Sequence, residues 1–324
     1  MNIPVIHIVL AFSFLIAFSQ KGCPQSKNTK HKTIGSPNEN IRDLALYDQD
    51  YKLAYTSGKA IVLYSIAEER LLKRLEKHDS EVMQVEVSPD GKWLASGDRN
   101  GQVILWSLPE GEYYKSLPKN AEQTVSLDFS HDSTMLVSSF LSNKVVVFDL
   151  KSAEILFSYN DSRETVFSAK FTPDSKQLIT CGNDNRLGKF NIESKSLTHI
   201  ITQHKNWIRD FDFDKSKPAV NTCGYDGIVY SIRLDDVDKQ TKMYDNSYWL
   251  TSVDSNEGYY VYGDITGKVV AKINSGVYLS KLGTPVNKIV SLNMPDRLLR
   301  LVVATQDKGV LFLYGNRMKY KSFM

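Results

Sequence analysis

The feature that most constrains this chain is a repeat of about 41 residues that runs from residue 41 to the end of the sequence. Each copy reads as an alternating strand, a polar turn, an apolar strand, a Gly- or Asp-bearing turn, a second apolar strand, a polar connection and a last strand. The clearest copy is VMQVEVSPDGKWLASGDRNGQVILW at 82–106. Val82, Val85 and Val87 lead into a Ser-Pro-Asp-Gly turn, in which proline presets φ and glycine allows a left-handed residue. Trp93-Leu94-Ala95, a turn at Arg99-Asn100-Gly101 and Val103-Ile104-Leu105-Trp106 complete it. The turn after the first strand recurs at Tyr47, Ser88, Ser130, Thr172, Asp214, Asp254 and Met294, at spacings of 41, 42, 42, 42, 40 and 40 residues. Third strands (AIVLYSI, VILWSL, VVVFDL, LGKFNI, VYSIRL, VVAKI, VLFLYG) follow at fixed offsets. No single unit of four short strands buries both of its faces, so the copies must stabilise one another by stacking.

A repeat of this length with four short strands resembles the WD-repeat family, over residues 41–324. The resemblance implies an all-β fold, a seven-bladed β-propeller of four-stranded antiparallel blades closed around a central channel. The family's blade typically carries a Gly-His pair before its first strand, a Ser or Thr in the second, an Asp in the following turn and a Trp in the third. Blade 2 here has His78, Ser96, Asn100 in place of the Asp, and Trp106. Blade 5 has His204, Thr222 and Asp226, with Ile232 where Trp would stand, and blade 4 keeps Thr180, Asp184 and Phe190. These residues are expected to form a hydrogen-bonded chain that stiffens each blade. The first, sixth and seventh blades are recognised by spacing more than by signature. For ring closure, the favoured reading gives blade 7 its own last strand from MKYKSFM, so that closure rests on packing against blade 1. In the alternative, HKTIGS from the N-terminal tail adds an edge strand.

Ahead of the repeats, residues 3–18 form an apolar run interrupted only by His7 and Ser13, followed by Ala17-Phe18-Ser19. Residues 1–19 read first as a cleaved signal peptide, which makes the protein exported, periplasmic or extracellular. The run has no Lys or Arg before it and basic residues after it, which favours instead a retained membrane anchor. Cys23 offers lipidation after cleavage at Gly22 as a third course. Residues 20–40 hold almost no apolar side chains and read as a flexible basic tether. The net charge of +3 matches the excess of Lys21, Lys27, Lys30 and Lys32 over Glu39 within that tail. A neutral body argues against a nucleic-acid footprint, which needs clustered Lys and Arg.

No HExxH, GxSxG, Walker, CxxC or Asp-rich calcium-loop pattern occurs, so neither catalytic residues nor a metal or cofactor are expected. His131 falls in a polar turn and His199 in a fourth strand, while Asp235, Asp236 and Asp238 read as a solvated face. Three cysteines, Cys23, Cys181 and Cys223, make no disulfide framework; the last two share a repeat position and read as small core residues. The resemblance implies a protein partner on the face built from the turns between second and third strands and the inter-blade connections. Arg99, Trp207, Arg209, Tyr225, Tyr248 and Trp249 map to it, and Trp, Tyr and Arg are enriched at binding hot spots. A structural alternative is that Trp207 and Trp249 pack between blades, with Trp249 in the slot that Val82 fills. The expected function is a non-catalytic scaffold for a protein partner. The alternatives are a hydrolase- or lactonase-like propeller enzyme with a metal in the channel, and a propeller that binds a small molecule or glycan.

Overall fold

The computed structural model describes residues 31–35, 38–49, 51–160, 165–256, 259–273, 276–292 and 299–315. These residues form seven antiparallel sheets of four strands each. Each sheet is one blade, and in blades 1 to 6 the four strands run from the central channel outward in chain order. Blade 2 is Val82–Val87, Trp93–Asp98, Val103–Ser107 and Glu112–Ser116. Second and third strands are covered on both faces by neighbouring blades. They therefore lose the two-residue alternation of a half-buried strand and read as apolar runs; every residue of Ala60–Ser65 is buried. The outermost strand has no blade beyond it, and all five residues of Glu112–Ser116 are exposed.

Blades are joined by shared apolar clusters. Ile61 and Leu63 of blade 1 pack with Val82, Leu94, Ile104 and Trp106 of blade 2. The same kind of cluster closes the ring, where Leu44, Leu53 and Val62 of blade 1 meet Val302, Val310 and Phe312 of blade 7.

In blades 2 to 7 the first strand carries a bulge, at Val82/Gln84, Thr124/Ser126, Val166/Ser168, Ile208/Asp210, Leu250/Ser252 and Val286/Lys288. Counted from these bulges, the residues equivalent to Ser88 are Ser130, Thr172, Asp214, Asn256 and Leu292. The period is thus 42 residues from blade 2 through blade 6 and shortens before blade 7. The turns that spacing places at Asp254 and Met294 shift accordingly by two residues, and Asp254 lies inside the strand Leu250–Asn256.

Ring closure corrects the favoured reading from sequence. The outermost strand of blade 7 is His31–Ile34, paired antiparallel with Val310–Gly315 through His31↔Leu313 to Ile34↔Val310. The strand expected from MKYKSFM lies outside the described residues. The propeller therefore begins at residue 31 rather than 41, and the latter half of the expected tether is part of the fold. Further contacts hold the chain to blade 7, as the amides of Asn38 and Ile41 donate to the carbonyls of Asp307 and Thr305 at 3.0 Å each. An edge strand is held chiefly by backbone hydrogen bonds, so the polar composition of this segment did not announce it. The leader, its cleavage and Cys23 also lie outside the described residues. No helix among the described residues is long and apolar enough to cross a membrane.

The latch is testable. Lys32→Pro with Thr33→Pro removes ladder hydrogen bonds and bares the edge of Val310–Gly315. The expected result is a lower Tm with edge-paired oligomers on size exclusion, whereas a Gly/Ser replacement of residues 20–30 leaves both unchanged.

Candidate interaction face and channel

Among the described residues, blades 2 and 5 carry a histidine-centred polar brace. In blade 2, His78 Nδ1 lies 3.0 Å from Asp98 Oδ2 and Nε2 2.7 Å from Ser96 Oγ, while Trp106 Nε1 donates to Ser96 Oγ at 2.8 Å. Sequence assigned the acid's place to Asn100; the structure gives it to Asp98. The side chain of Asp98 also accepts the amides of Asn100 and Gln102 at 2.9 Å each, so one carboxylate holds both the histidine and the turn. In blade 5, His204 lies 3.0 Å from Asp226 and 2.8 Å from Thr222 Oγ1, with Tyr230 edge-on to its ring. Burial opposes the charge of Asp98 and Asp226, but hydrogen bonds led by the histidines outweigh it and hold both carboxyls below their ordinary value. Blade 6 uses a reduced version that sequence missed: Asn246, at the histidine's position, donates to Asp264 at 2.8 Å.

On the top face one contact recurs. The first residue of the turn between second and third strands donates its amide to the residue just before the first strand. The pairs are Arg99 to Glu81, Leu141 to Gln123, Asn183 to Thr165, Tyr225 to Trp207 and Ile265 to Trp249. Trp207 and Trp249 therefore precede the buried slot of Val82, which Ile208 and Leu250 occupy in these blades. One residue of offset turns a side chain to the opposite side, and the tryptophans are 41% and 50% exposed. Inter-blade packing of these residues is thus replaced by a surface ridge. Trp207 meets Phe167 at 5.8 Å and Tyr225 at 5.6 Å, and Tyr225 stacks on Trp249 at 4.8 Å and 13°. The guanidinium of Arg209 lies over the Phe167 ring at 5.4 Å. Both Phe167 and Arg209 are bulge residues, which the extra residue aims at the channel mouth.

Tyr248, 52% exposed, adjoins this ridge in sequence. Its position follows from Gly227, with φ of +77°. A Cβ there would stand 2.0 Å from the Asn246 carbonyl oxygen, so only glycine lets the loop 246–249 close on the Tyr225 turn. Arg99 belongs elsewhere. It sits on blade 2, where it pairs with Glu81 at 2.5 Å, and Arg42 pairs with the same carboxylate at 2.9 Å. Trp207, Tyr225 and Trp249 were among the residues mapped to this face from sequence, whereas Phe167 was missed because bulges leave no local signature.

Beneath the ridge lies a channel cavity of about 270 Å³, lined by polar side chains of the first strands. Six of these side chains accept backbone amides from the next blade. Asp43 accepts from Val85, Ser126 from Ala169, Asp128 from Phe171, Asp210 from Val253, Asp212 from Ser255 and Asp254 from Ser291, at 2.7 to 3.3 Å. Lys170 Nζ donates to the Phe211 carbonyl at 2.5 Å and lies 3.4 Å from Asp212. Burial pushes the carboxyls of Asp43, Asp128 and Asp254 up to about 6, 7 and 7, and that of Glu86 to about 8. Asp210 stays below its ordinary value because Lys288 and Lys170 outweigh its burial. Among the described residues no three His, Cys, Asp or Glu side chains converge in a geometry that could hold a metal ion. The acidic stretch at 235–238 is an exposed set of ion pairs, Asp235 with Arg233 and Asp236 with Lys239. Cys181 and Cys223 are buried free thiols.

Comparison with known proteins bears on the whole ring. Residues 69–107 and 153–188 match the family model described as WD domain, G-beta repeat. No curated protein matches. The solved structure of U3-55K superposes with a TM-score of 0.76 at 16% identity, covering 88% of this chain and 98% of that one. In all, 1915 solved chains match, so the likeness speaks for the fold and carries no particular role with it.

Two outcomes follow for stability. Asp98→Ala leaves buried His78 and two amides short of an acceptor and should cost about 1–3 kcal/mol, with Asn100→Ala well below that by urea denaturation. The four channel carboxyls with raised values bind protons more tightly in the folded state. Their contribution is full below the unfolded values near 4 and is lost as pH rises through about 6 to 8. Asp98 and Asp226 act oppositely: their contribution is present above the unfolded value of 3.8 and is lost as pH falls below it. Thermal melts should therefore give a Tm that falls from pH 5 to pH 8, less steeply in Glu86→Gln with Asp128→Asn. A flat or rising profile contradicts the burial of these carboxyls.

Proposed function

The chain is a WD-repeat β-propeller, and from that premise we propose that it is a non-catalytic scaffold that binds a protein partner on its top face. WD-repeat propellers are generally scaffolds that bind proteins. The observation that carries the reading to a place on this chain is the exposed aromatic ridge of Trp207, Tyr225 and Trp249, rooted between Phe167 and the blade 5 brace. The exposed halves of the two tryptophans add nothing to the stability of the ring, and such side chains supply large contact area at low entropic cost. The channel supports the same reading in that its acceptors Asp43, Ser126, Asp128, Asp210, Asp212 and Asp254 are already committed to joining blades. The apolar run at 3–18 supports export or membrane attachment of this scaffold, with Cys23 as the site of any lipid.

The test is affinity purification from the native host of protein tagged at its C-terminus, read by mass spectrometry. A protein partner should be retained by wild type and lost from the Trp207→Ala, Trp249→Ala double variant. Each truncation should weaken binding by about 30-fold or more, the scale of a hot-spot residue. Retention by the double variant at wild-type level removes the ridge from the function. The same sample reads the mature N-terminus: Gln20 or a lipidated Cys23 supports export, whereas Met1 supports a retained anchor.

A further inference from the structure

Around the ridge, the described carboxylates of the top-face turns are engaged within their own blades. Asp184 pairs with Arg186 at 3.1 Å. Asp226 takes His204 and the amide of Lys205. Asp264 accepts from Asn246, from Thr266 Oγ1 at 2.7 Å and from the amide of Lys268 at 3.0 Å. The cations of the same sector are in a different position. Lys205, two residues before Trp207, is exposed, and Arg209 makes its cation–π contact with Phe167. Neither forms an ion pair with a carboxylate among the described residues. Blade 2 shows the contrasting arrangement, because there the top-face cation Arg99 is neutralised by Glu81 one strand away. The ridge thus combines exposed aromatic area with two cations that, among the described residues, lack a carboxylate within ion-pairing distance.

Building on the scaffold reading, we infer that the ridge receives an acidic, apolar peptide segment of its protein partner. Aliphatic or aromatic side chains of the segment cover Trp207, Tyr225 and Trp249, and its carboxylates pair with Lys205 and Arg209. Both cations lie at the border of the aromatic patch, the rim position at which charge governs orientation and partner choice. A glycan fits less well, since Tyr225 and Trp249 already cover one face of each other.

The probe is a random dodecapeptide library displayed against the full chain purified from its host. Enriched peptides should be acidic and apolar, should bind with an affinity that falls with rising salt, and should be lost on Trp249→Ala. Lys205→Glu with Arg209→Glu should weaken them by about tenfold or more, on the scale of two surface ion pairs, and the Gln equivalents by less; circular dichroism melts verify that both remain folded. Enriched peptides that need Trp249 but are neutral or basic, or that ignore the charge reversal, overturn the acidic assignment while leaving the scaffold reading in place. Failure to enrich any peptide dependent on Trp249 overturns both.

Discussion

A propeller blade is an open sheet, and the inner edge of its first strand presents backbone amides that its own ladder does not use. Left unpaired in a narrow channel, such donors are costly. In this ring the preceding blade supplies the acceptors, from Asp43, Ser126, Asp128, Asp210, Asp212, Ser252 and Asp254. Blades 2, 4, 6 and 7 are therefore completed by the preceding blade at the inner edge, as well as through shared apolar clusters. Asp43, Asp128 and Asp254 among these, together with the neighbouring Glu86, lie under reduced solvation, which raises their pKa values to about 6 to 8. A chain of mutual dependence must close on itself, and the pairing of His31–Ile34 with Val310–Gly315 ties the first described segment to the last.

A ring held in this way presents its top loops from fixed positions. The same amide contact recurs from blade to blade, so the side chains on either side of it vary while their placement does not. Blade 2 fills the position with an ion pair of Arg99 and Glu81, and blade 5 with Tyr225 and Trp207. Binding chemistry can thus change on one sector without disturbing the core beneath. Gly227 shows how closely the two layers are joined, because the approach of Asn246 to its backbone brings Trp249 within stacking distance of Tyr225.

The 42-residue period and the apolar third strands made the propeller legible in the sequence, and His78, Ser96, Trp106, His204, Thr222 and Asp226 occupy the brace positions expected of them. Asp98 was passed over because a family offset pointed two residues further, to Asn100, while the geometry of a tight turn lets either position reach the histidine. The latch strand was hidden because an edge strand can be held by backbone alone. The channel carried a readable signal of another kind. Glu86, Asp128, Lys170, Asp212 and Asp254 recur every 42 residues at one register position, and a charged side chain repeated on that row marks the face turned to the channel. The orientation of Trp207 and Trp249 depended on a single residue of register, which a period blurred by the shorter spacing before blade 7 did not resolve.

The claim that the ridge is the binding surface is tested most directly by photocrosslinking in the native host. Benzoylphenylalanine would replace Tyr225 in one protein and Tyr114 in another; Tyr114 is a half-exposed residue on the outer strand of blade 2. The prediction is a discrete protein adduct from position 225 and none from position 114. Adducts from position 114 alone would contradict it, and would move the binding surface from the top face to the rim of the ring.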